Sequence, residues 1–435
     1  MSWGRFPRIA QTAHAVHWRA QLPAVLRGLA DRFGTTLPYG AGRSYGDSCL
    51  AASDHVIDMK DVDRFIDADW ERGLITAEAG ATLEQVLSVC IPRGWFLPVA
   101  PGTQHVTLGG ALANDVHGKN HHVRGTFGGH VTRFGLVRSD RGEIPCSKVE
   151  NSEWYHATIG GLGLTGIIAW VQLQLMPVRS SLMRVQETRF GSVDDFFALS
   201  AELDATHEYA VAWIDCLAHG KSLGRGVYSV ANHAAEGPLT VASRHRRLRV
   251  PFVPPIGVVN AVSLRAFNSL YYRRVGQARV DTTVGYEPFL FPLDRIQRWN
   301  QLYGARGFQQ FQCVLPEVHA RDAARELLRA IAAGRRGSFL AVMKRCGTVA
   351  SPGLMSFPMP GVTLALDFPQ HAELARSLFP RLDRIVAEAG GRLYPAKDAH
   401  MSGENFRLGY PRWQQLEAMR DRTLNSRFWQ RVTAT

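Results

Sequence analysis

The stretch NDVHGKNHHVRGTFGGHV, residues 114–131, carries four histidines: His117, His121, His122 and His130. At neutral pH an imidazole can ligate a metal, move a proton or orient a hydroxyl. His117 and His121 are four apart, which on a helix would set two ring nitrogens on one face, as a metal site needs. Gly118 and Gly125 interrupt the helix this spacing requires, and no acidic or cysteine ligands cluster beside the histidines. A metal centre is therefore not expected. Loop histidines with ordinary hydrogen bonds and histidines lining a ligand pocket remain open.

GLGLTG, residues 161–166, matches G-x-G-x-x-G literally. A dinucleotide fold needs a strand before that motif and a helix after it, because the helix N-terminus holds the pyrophosphate. Here the strand-like GIIAWVQLQLMPV follows, so the motif fails its context. YGAGRSYGD (39–47) and APGTQHVTLGGALANDVHGKNHH (100–122) are two further glycine-rich loops. Three such loops bordering strands suit a long ligand lying across backbone amides, which bind phosphate well. No phosphate-binding P-loop sequence occurs.

The elements that must position these loops are legible in outline. LITAEAG (74–80) and HVIDM (55–59) read as strands, and residues 81–94 as a helix in which Thr82 and Gln85 have capping-box spacing. A short strand is expected within 94–102 and another over 166–178. After Pro177 the texture changes. Residues 192–205 and 320–334 read as amphipathic helices, and 209–216, 308–316, 338–344 and 362–369 as strands. That order suggests an antiparallel sheet covered on one face. Three parts are expected: 1–178, 179–391, and 392–435 returning to the first.

Bulk composition bounds the function. With 46% hydrophobic and 20% charged residues, the 435-residue chain is ordinary globular protein, large enough for two cores. No secretory signal and no apolar run of membrane-spanning length is visible. The six cysteines, at 49, 90, 146, 216, 313 and 346, include no C-x-x-C pair and read as core residues of a reducing compartment. Lys and Arg exceed Asp and Glu by 50 to 38, which suggests a polyanionic partner. No nucleic-acid module accompanies the charge. Arg244, Arg246, Arg247 and Arg249 precede a proline-broken apolar stretch, with YYRR (271–274) after it. Basic beside apolar residues suits a membrane surface or a lipid phosphate, and a plain surface loop equally.

GAGRSYGD, PGTQHVTLGGALANDVHGKNHH, GTFGGHV and GGLGLTGII together resemble the FAD-binding domain of the vanillyl-alcohol-oxidase (PCMH-type) superfamily. With GFQQFQCVLP, SFPMPGVTLALDFP and GGRLYPAKD, the chain more narrowly resembles the decaprenylphosphoryl-β-D-ribose 2′-oxidase family. The resemblance implies an α+β fold: a PCMH-type FAD-binding domain and an antiparallel-sheet substrate (cap) domain. It implies FAD-dependent oxidation of the 2-hydroxyl of a polyprenyl-phosphoryl pentose. An NAD(P)H-dependent reductase would then complete epimerisation of ribose to arabinose. A soluble alditol or aldonolactone oxidase of the same fold is the alternative. The compartment implied is cytoplasmic or peripheral to the inner membrane.

Residue by residue, the resemblance assigns cofactor contacts to Gly40, Ala41, Gly42, Arg43, Ser44, Tyr45 and Gly46, and to Gly102, Thr103, Thr107, Leu108, Gly109 and Gly110. It continues with Asn114, Asp115, Val116, His117 and Gly118, then Gly161, Gly163, Ile167 and Tyr394. In the wider superfamily the first loop often carries a histidine bonded to the flavin. Arg43 stands there, so FAD is expected without a covalent link, His117 being the alternative attachment. Lys397 matches the lysine that stabilises reduced flavin, and His117 and Tyr45 are candidates to position the hydroxyl or relay its proton. Gln310 and Gln312, sharing one strand face, are assigned to the sugar, with Lys344 and Lys119 as further substrate contacts. The family's cysteine in the segment matching VTLALDFP is Ala365 here.

Overall fold

The computed structural model describes residues 1–242, 248–254, 257, 259–276, 279–334 and 337–434. The amino-terminal part is built on two sheets. Thr12–Ala15, His55–Asp58 and Leu37–Tyr39 form a parallel three-stranded sheet in that order. The helix Leu22–Phe33 turns Leu22, Leu26 and Leu29 inward at helical spacing, into one core with Ile57. An antiparallel five-stranded sheet runs Phe65–Asp69, Leu74–Glu78, Ile167–Gln174, Val131–Arg138, Gly142–Ser147. The helix Leu83–Cys90 opens on the expected capping box: Gln85 N donates to Thr82 Oγ1 at 3.2 Å and Thr82 N to Gln85 Oε1 at 2.8 Å. GLGLTG leads directly into the strand Ile167–Gln174, with no helix after it.

The rest is organised by an antiparallel eight-stranded sheet. Its order is Arg279–Gly285, Leu182–Phe190, Gly226–His233, Tyr209–Ile214, Ala341–Cys346, Gly361–Pro369, Phe308–Pro316, Arg392–Leu393. Alternation along these strands decides what faces where. Phe311, Cys313 and Leu315, with Leu364, Leu366 and Phe368, enter a core shared with the helices Val193–Leu203, Ala320–Ala333 and Phe379–Glu388. Gln310 and Gln312, with Thr363 and Ala365, lie on the opposite face, which no helix of that layer covers. The chain is thus α+β, one sheet face packed on helices and the other left for a ligand.

Three details depart from the sequence reading. The strand expected at 338–344 is Ala341–Cys346, because Ser338 makes a tight side-chain turn: its Oγ accepts from Leu340 N at 3.0 Å and donates to Leu340 O at 2.8 Å. The helix Ala261–Arg273 was not expected. Asn260 caps it, accepting from Val262 N at 3.0 Å and Ser263 N at 3.1 Å. The strand Arg392–Leu393 still belongs to the eight-stranded sheet, so the chain leaves that sheet only after it. Arg244, Arg246 and Arg247 lie outside the described residues, whereas Arg249 sits in a short strand paired with Ile296–Gln297. The six cysteines are unpaired, five of them buried.

Candidate active site

A cavity of about 880 Å³ separates the glycine loops from the face of the eight-stranded sheet opposite its helix layer, with Tyr271 of the helix Ala261–Arg273 packed on Trp213 at one end. Its near wall is made by Gly40–Tyr45, Gly102 and Thr103, Thr107, Gly109 and Gly110, and Asn114 with Val116–Lys119. Gly163 adds to that wall from the GLGLTG segment, and Tyr394 and Lys397 close one side. Gln310, Gln312, Lys344 and Ala365 form the far wall.

The near wall suits an extended anionic ligand. Gly42 has φ +62°, and a Cβ there would stand 2.0 Å from Tyr39 Oη, so only glycine fits the turn. A Cβ on Gly109 would stand 2.9 Å from Ala79 Cβ, where the short helix Leu108–Ala113 lies against the sheet. No backbone amide from Gly40 to Ser44 donates to another described residue. Arg43 lies 4.0 Å over the Trp3 ring, and its buried Nε has no acceptor. Free amides and an orphaned guanidinium donor in a cavity of this length fit a dinucleotide with its pyrophosphate.

On the closing side, Tyr45 and Lys397 meet. The Lys397 ammonium sits 3.5 Å over the Tyr45 ring, a cation–π contact. Burial lowers the Lys397 pKa; the negative field of Asp367 opposes that shift and the Arg43 charge adds to it. Asp367 is fully buried, and burial raises its pKa. One of its oxygens accepts from Gln310 Nε2 at 2.6 Å while Oδ2 has no partner. The result is a buried amine beside the cavity whose positive charge burial disfavours and the Asp367 carboxylate supports.

The far wall meets the histidine loop at His117. Lys344 Nζ donates to His117 Nδ1 at 2.5 Å and also to the Gly118 carbonyl. The Gln312 amide nitrogen lies 3.2 Å from Nε2, so nitrogen donors face both ring nitrogens and the ring is held between strand and loop. Burial, reinforced by Lys344, pushes His117 well below the usual imidazole range, so the ring is neutral. Burial lowers Lys344 to about 8. Lys119 donates to the Phe289 carbonyl and stacks 4.5 Å over that ring; burial, then Lys344, lowers it to about 7. The other histidines point elsewhere. His121 Nδ1 accepts from Gly347 N at 3.2 Å, while His122 and His130 bond the carbonyls of His207 and Arg124, each at 2.9 Å. Among the described residues no three metal-ligating side chains converge.

Five residues assigned to the cofactor lie off the cavity wall. Gly46 is packed behind it: a Cβ there would stand 1.6 Å from the Asp398 carbonyl oxygen, so glycine lets two loops touch. Leu108 and Ile167 are fully buried in the two cores, one residue out of phase with the lining Gly109 and Ile168. Gly161 packs on its own preceding helix, where a Cβ would stand 2.2 Å from Ala157 O. Asp115 is fully buried and ties three segments together, accepting from Gly128 N at 2.8 Å, Ser351 Oγ at 2.5 Å and Ser356 Oγ. Lys344, expected to meet a phosphate, has its ammonium engaged by His117 and Gly118.

Three acidic residues at or behind the cavity wall were not expected: Asp294, Asp367 and Glu187, the last paired with Arg274. Asp367 shares a strand face with Ala365 at a spacing of two, so alternation pointed to it. Asp294 carried no such signal. It lines the cavity and accepts from Thr103 Oγ1 at 2.7 Å and Gln104 N at 2.9 Å, from 191 and 190 residues away.

Comparison with known proteins agrees with this geometry. Residues 15–145 match the model of the FAD binding domain family. The chain is 33% identical over 426 residues to decaprenylphosphoryl-beta-D-ribose oxidase of Mycolicibacterium smegmatis, covering 95% of this chain and 91% of that one. It is 33% identical over 354 residues, 78% of this chain and 95% of the other, to an uncharacterized Streptomyces coelicolor protein from the mprA 5′ region. Delta(24)-sterol reductase of Macaca fascicularis is 26% identical over 153 residues, 35% of this chain and 28% of that enzyme. FAD is thus the cofactor, and the chain is an FAD-dependent oxidoreductase.

Proposed function

This chain belongs to the decaprenylphosphoryl-β-D-ribose oxidase family, and on that footing we propose that it oxidises the 2-hydroxyl of a polyprenyl-phosphoryl pentose to a ketone. The observation that carries the reading is the shape of the cavity. Beyond Gln310 and Gln312 it continues along a sheet face lined mainly by Val185, Val211, Trp213, Val284, Leu340 and Val342, with Glu187, Ser229 and Thr282 interspersed. A free polyol has no use for such a wall, whereas a lipid-linked sugar does.

FAD, when bound, supplies the acceptor for the hydride that leaves the sugar carbon. Gln310 and Gln312 hold the sugar from one strand face. His117, neutral and held between Lys344 and Gln312, orients the hydroxyl from the junction of the two walls. Lys397 places positive charge where negative charge accumulates, in a pocket of low dielectric. Lys119 and Arg274 add positive potential for the phosphate. Arg274 is steadied by Glu187 at 2.8 Å and by the Tyr271 ring at 4.2 Å. Arg43 at the attachment position supports FAD held non-covalently.

The same reading places the chain at a membrane surface. Leu248, Phe252, Val262 and Leu270 are 72%, 68%, 77% and 72% exposed. Exposed Arg249, Arg265 and Arg273 lie among them, in the same stretch as the cavity-lining Tyr271 and Arg274. Apolar side chains amid cations suit an anionic headgroup layer. No helix of the described residues is long and apolar enough to cross a membrane. A reductase using a nicotinamide cofactor would take the ketone on to arabinose. Residues 1–178 form the FAD-binding part and 179–391 the cap. After the strand Arg392–Leu393, which stays with the cap sheet, the reading of the remaining segment as one that returns to the first part is supported by backbone bonds between Thr36 and Thr423 and between Ala52 and Asn425.

The test is anaerobic mixing of FAD-loaded protein with polyprenyl-phosphoryl ribose, and separately with free ribose, an alditol and an aldonolactone. Bleaching of the flavin band by the lipid-linked sugar alone is expected. Equal or faster bleaching by a free polyol would assign the chain to soluble sugar oxidation instead.

A further inference from the structure

An ion network lies directly behind Tyr45 and Lys397. Arg431, on the helix Arg427–Thr433, grips Asp47 with Nε at 2.9 Å and Nη2 at 2.8 Å. The same Nη2 reaches Asp398 Oδ2 at 2.8 Å, and Nη1 donates to the Met401 carbonyl at 2.5 Å. Asp47 stands two residues after Tyr45, and Asp398 one residue after Lys397. Both carboxylates are buried, at 5% and 2% exposure. Between them the two loops touch: Tyr45 N donates to Ala396 O at 2.9 Å, and Gly46 has no room for a Cβ against Asp398. Two buried carboxylates in adjacent loops repel unless a cation joins them. Asp398 is also held by the amides of His400 and Met401, at 3.1 and 2.9 Å.

We propose that Arg431 is a positioning residue for the Lys397–Tyr45 pair. By clamping Asp47 to Asp398, its guanidinium sets the Lys397 ammonium over the Tyr45 ring and so fixes where the flavin meets positive charge. The planar fork suits this task, with Nε and Nη2 on one carboxylate and Nη2 shared with the second. A lysine at this position keeps the charge but cannot make the bidentate grip and the second contact together. The inference rests on Lys397 as the neighbour of the flavin.

Sulfite provides the test, because it adds to flavin as an anion, bleaches the visible band and needs no sugar substrate. Full-length, FAD-loaded wild type, Arg431→Lys, Lys397→Ala and the double variant are titrated, with FAD content and melting temperature recorded. Lys397→Ala is expected to weaken sulfite binding by about tenfold or more. Arg431→Lys should weaken it about threefold to tenfold, with FAD retained, since small misplacements of charge are costly in such pockets. In the Lys397→Ala background the same change should cost less than about twofold, because Arg431 acts through Lys397. Wild-type affinity in Arg431→Lys, or its full loss repeated in the double variant, overturns the proposal. Wild-type affinity in Lys397→Ala overturns it by removing Lys397 from the flavin, a different failure. If Arg431→Lys does not keep FAD, Asp47→Asn loosens the other arm. Non-additivity with Lys397→Ala is again expected, and additivity decides against the clamp.

Discussion

At the scale of the residue, the site is a set of buried cations whose charge is costly to hold. Lys397→Ala should fold and retain FAD, yet slow flavin reduction by substrate roughly a hundredfold or more, since one lost electrostatic contact of this kind is worth several kcal/mol. Lys397→Arg should recover part of that loss, since a guanidinium can stack on Tyr45 but is longer and spreads the charge that the ammonium concentrates 3.5 Å over the ring. Stopped-flow reduction with bound flavin measured alongside decides this; wild-type speed in a flavin-replete Lys397→Ala would remove the residue from the mechanism. Lys344 makes a pH prediction. Burial lowers it to about 8, so its positive charge is lost as pH rises through that value and its bonds to His117 and Gly118 are no longer charge-assisted. Reduction should therefore slow as pH rises through about 8, and Lys344→Met should be slow at every pH and keep only the alkaline limb that belongs to Lys397, whose pKa burial also lowers. His117, neutral throughout, should add no limb near 6.5. Arg43 at the usual attachment position predicts that acid precipitation releases the yellow colour into the supernatant; flavin left in the pellet would point to another attachment site.

At the scale of the element, two loops far apart in sequence hold each other in register. Gly46→Ala would force a Cβ to 1.6 Å from the Asp398 carbonyl, so one loop must move. The expected cost is about 3 kcal/mol, read as a lowered denaturation midpoint with loss of FAD. An unchanged midpoint would show that the loops are freer than their contact implies. Asp398 is also shared with His400, whose ring lies 3.2 Å from it and 3.1 Å from Asp383. Burial alone would lower the imidazole, but the two carboxylates outweigh it and raise its pKa above 6.5. A raised imidazole contributes stability that is complete below pH 6.5 and fades as pH climbs through the folded-state value. Thermal stability should accordingly decline over that window in wild type and decline less in His400→Gln.

At the scale of the whole molecule, the proposed membrane contact rests on the exposed apolar residues of the stretch that also supplies the cavity-lining Tyr271 and Arg274. Replacing Arg249, Arg265 and Arg273 with glutamine should weaken binding to anionic vesicles by about 1 kcal/mol per residue at low salt, leaving flavin content unchanged. Added salt should narrow the difference, since such attraction is screened. Cosedimentation with vesicles measures both, and equal binding by wild type and variant would leave the face as plain surface.

Local physics was enough to read much of this from the chain alone. Alternation identified the strands that carry Gln310 and Gln312, because a strand's side-chain period is two wherever it lies. Thr82 and Gln85 announced the helix Leu83–Cys90, because a cap is made within four residues. The failure of GLGLTG as a Rossmann turn was likewise visible from the strand that follows it. The glycine loops and the LYPAKD run carried the family resemblance. Tertiary structure decided the rest, because those contacts cross the chain. Asp294 meets Thr103 across 191 residues and Arg431 meets Asp47 across 384, and no local pattern marks either partner. Gly46, Gly109 and Gly161 look alike in sequence; only the packing shows that Gly109 lines the cavity, while the other two let backbone pass backbone behind it. Lys344 reads from sequence as a free cation, yet its position on the strand beside the histidine loop commits it to His117.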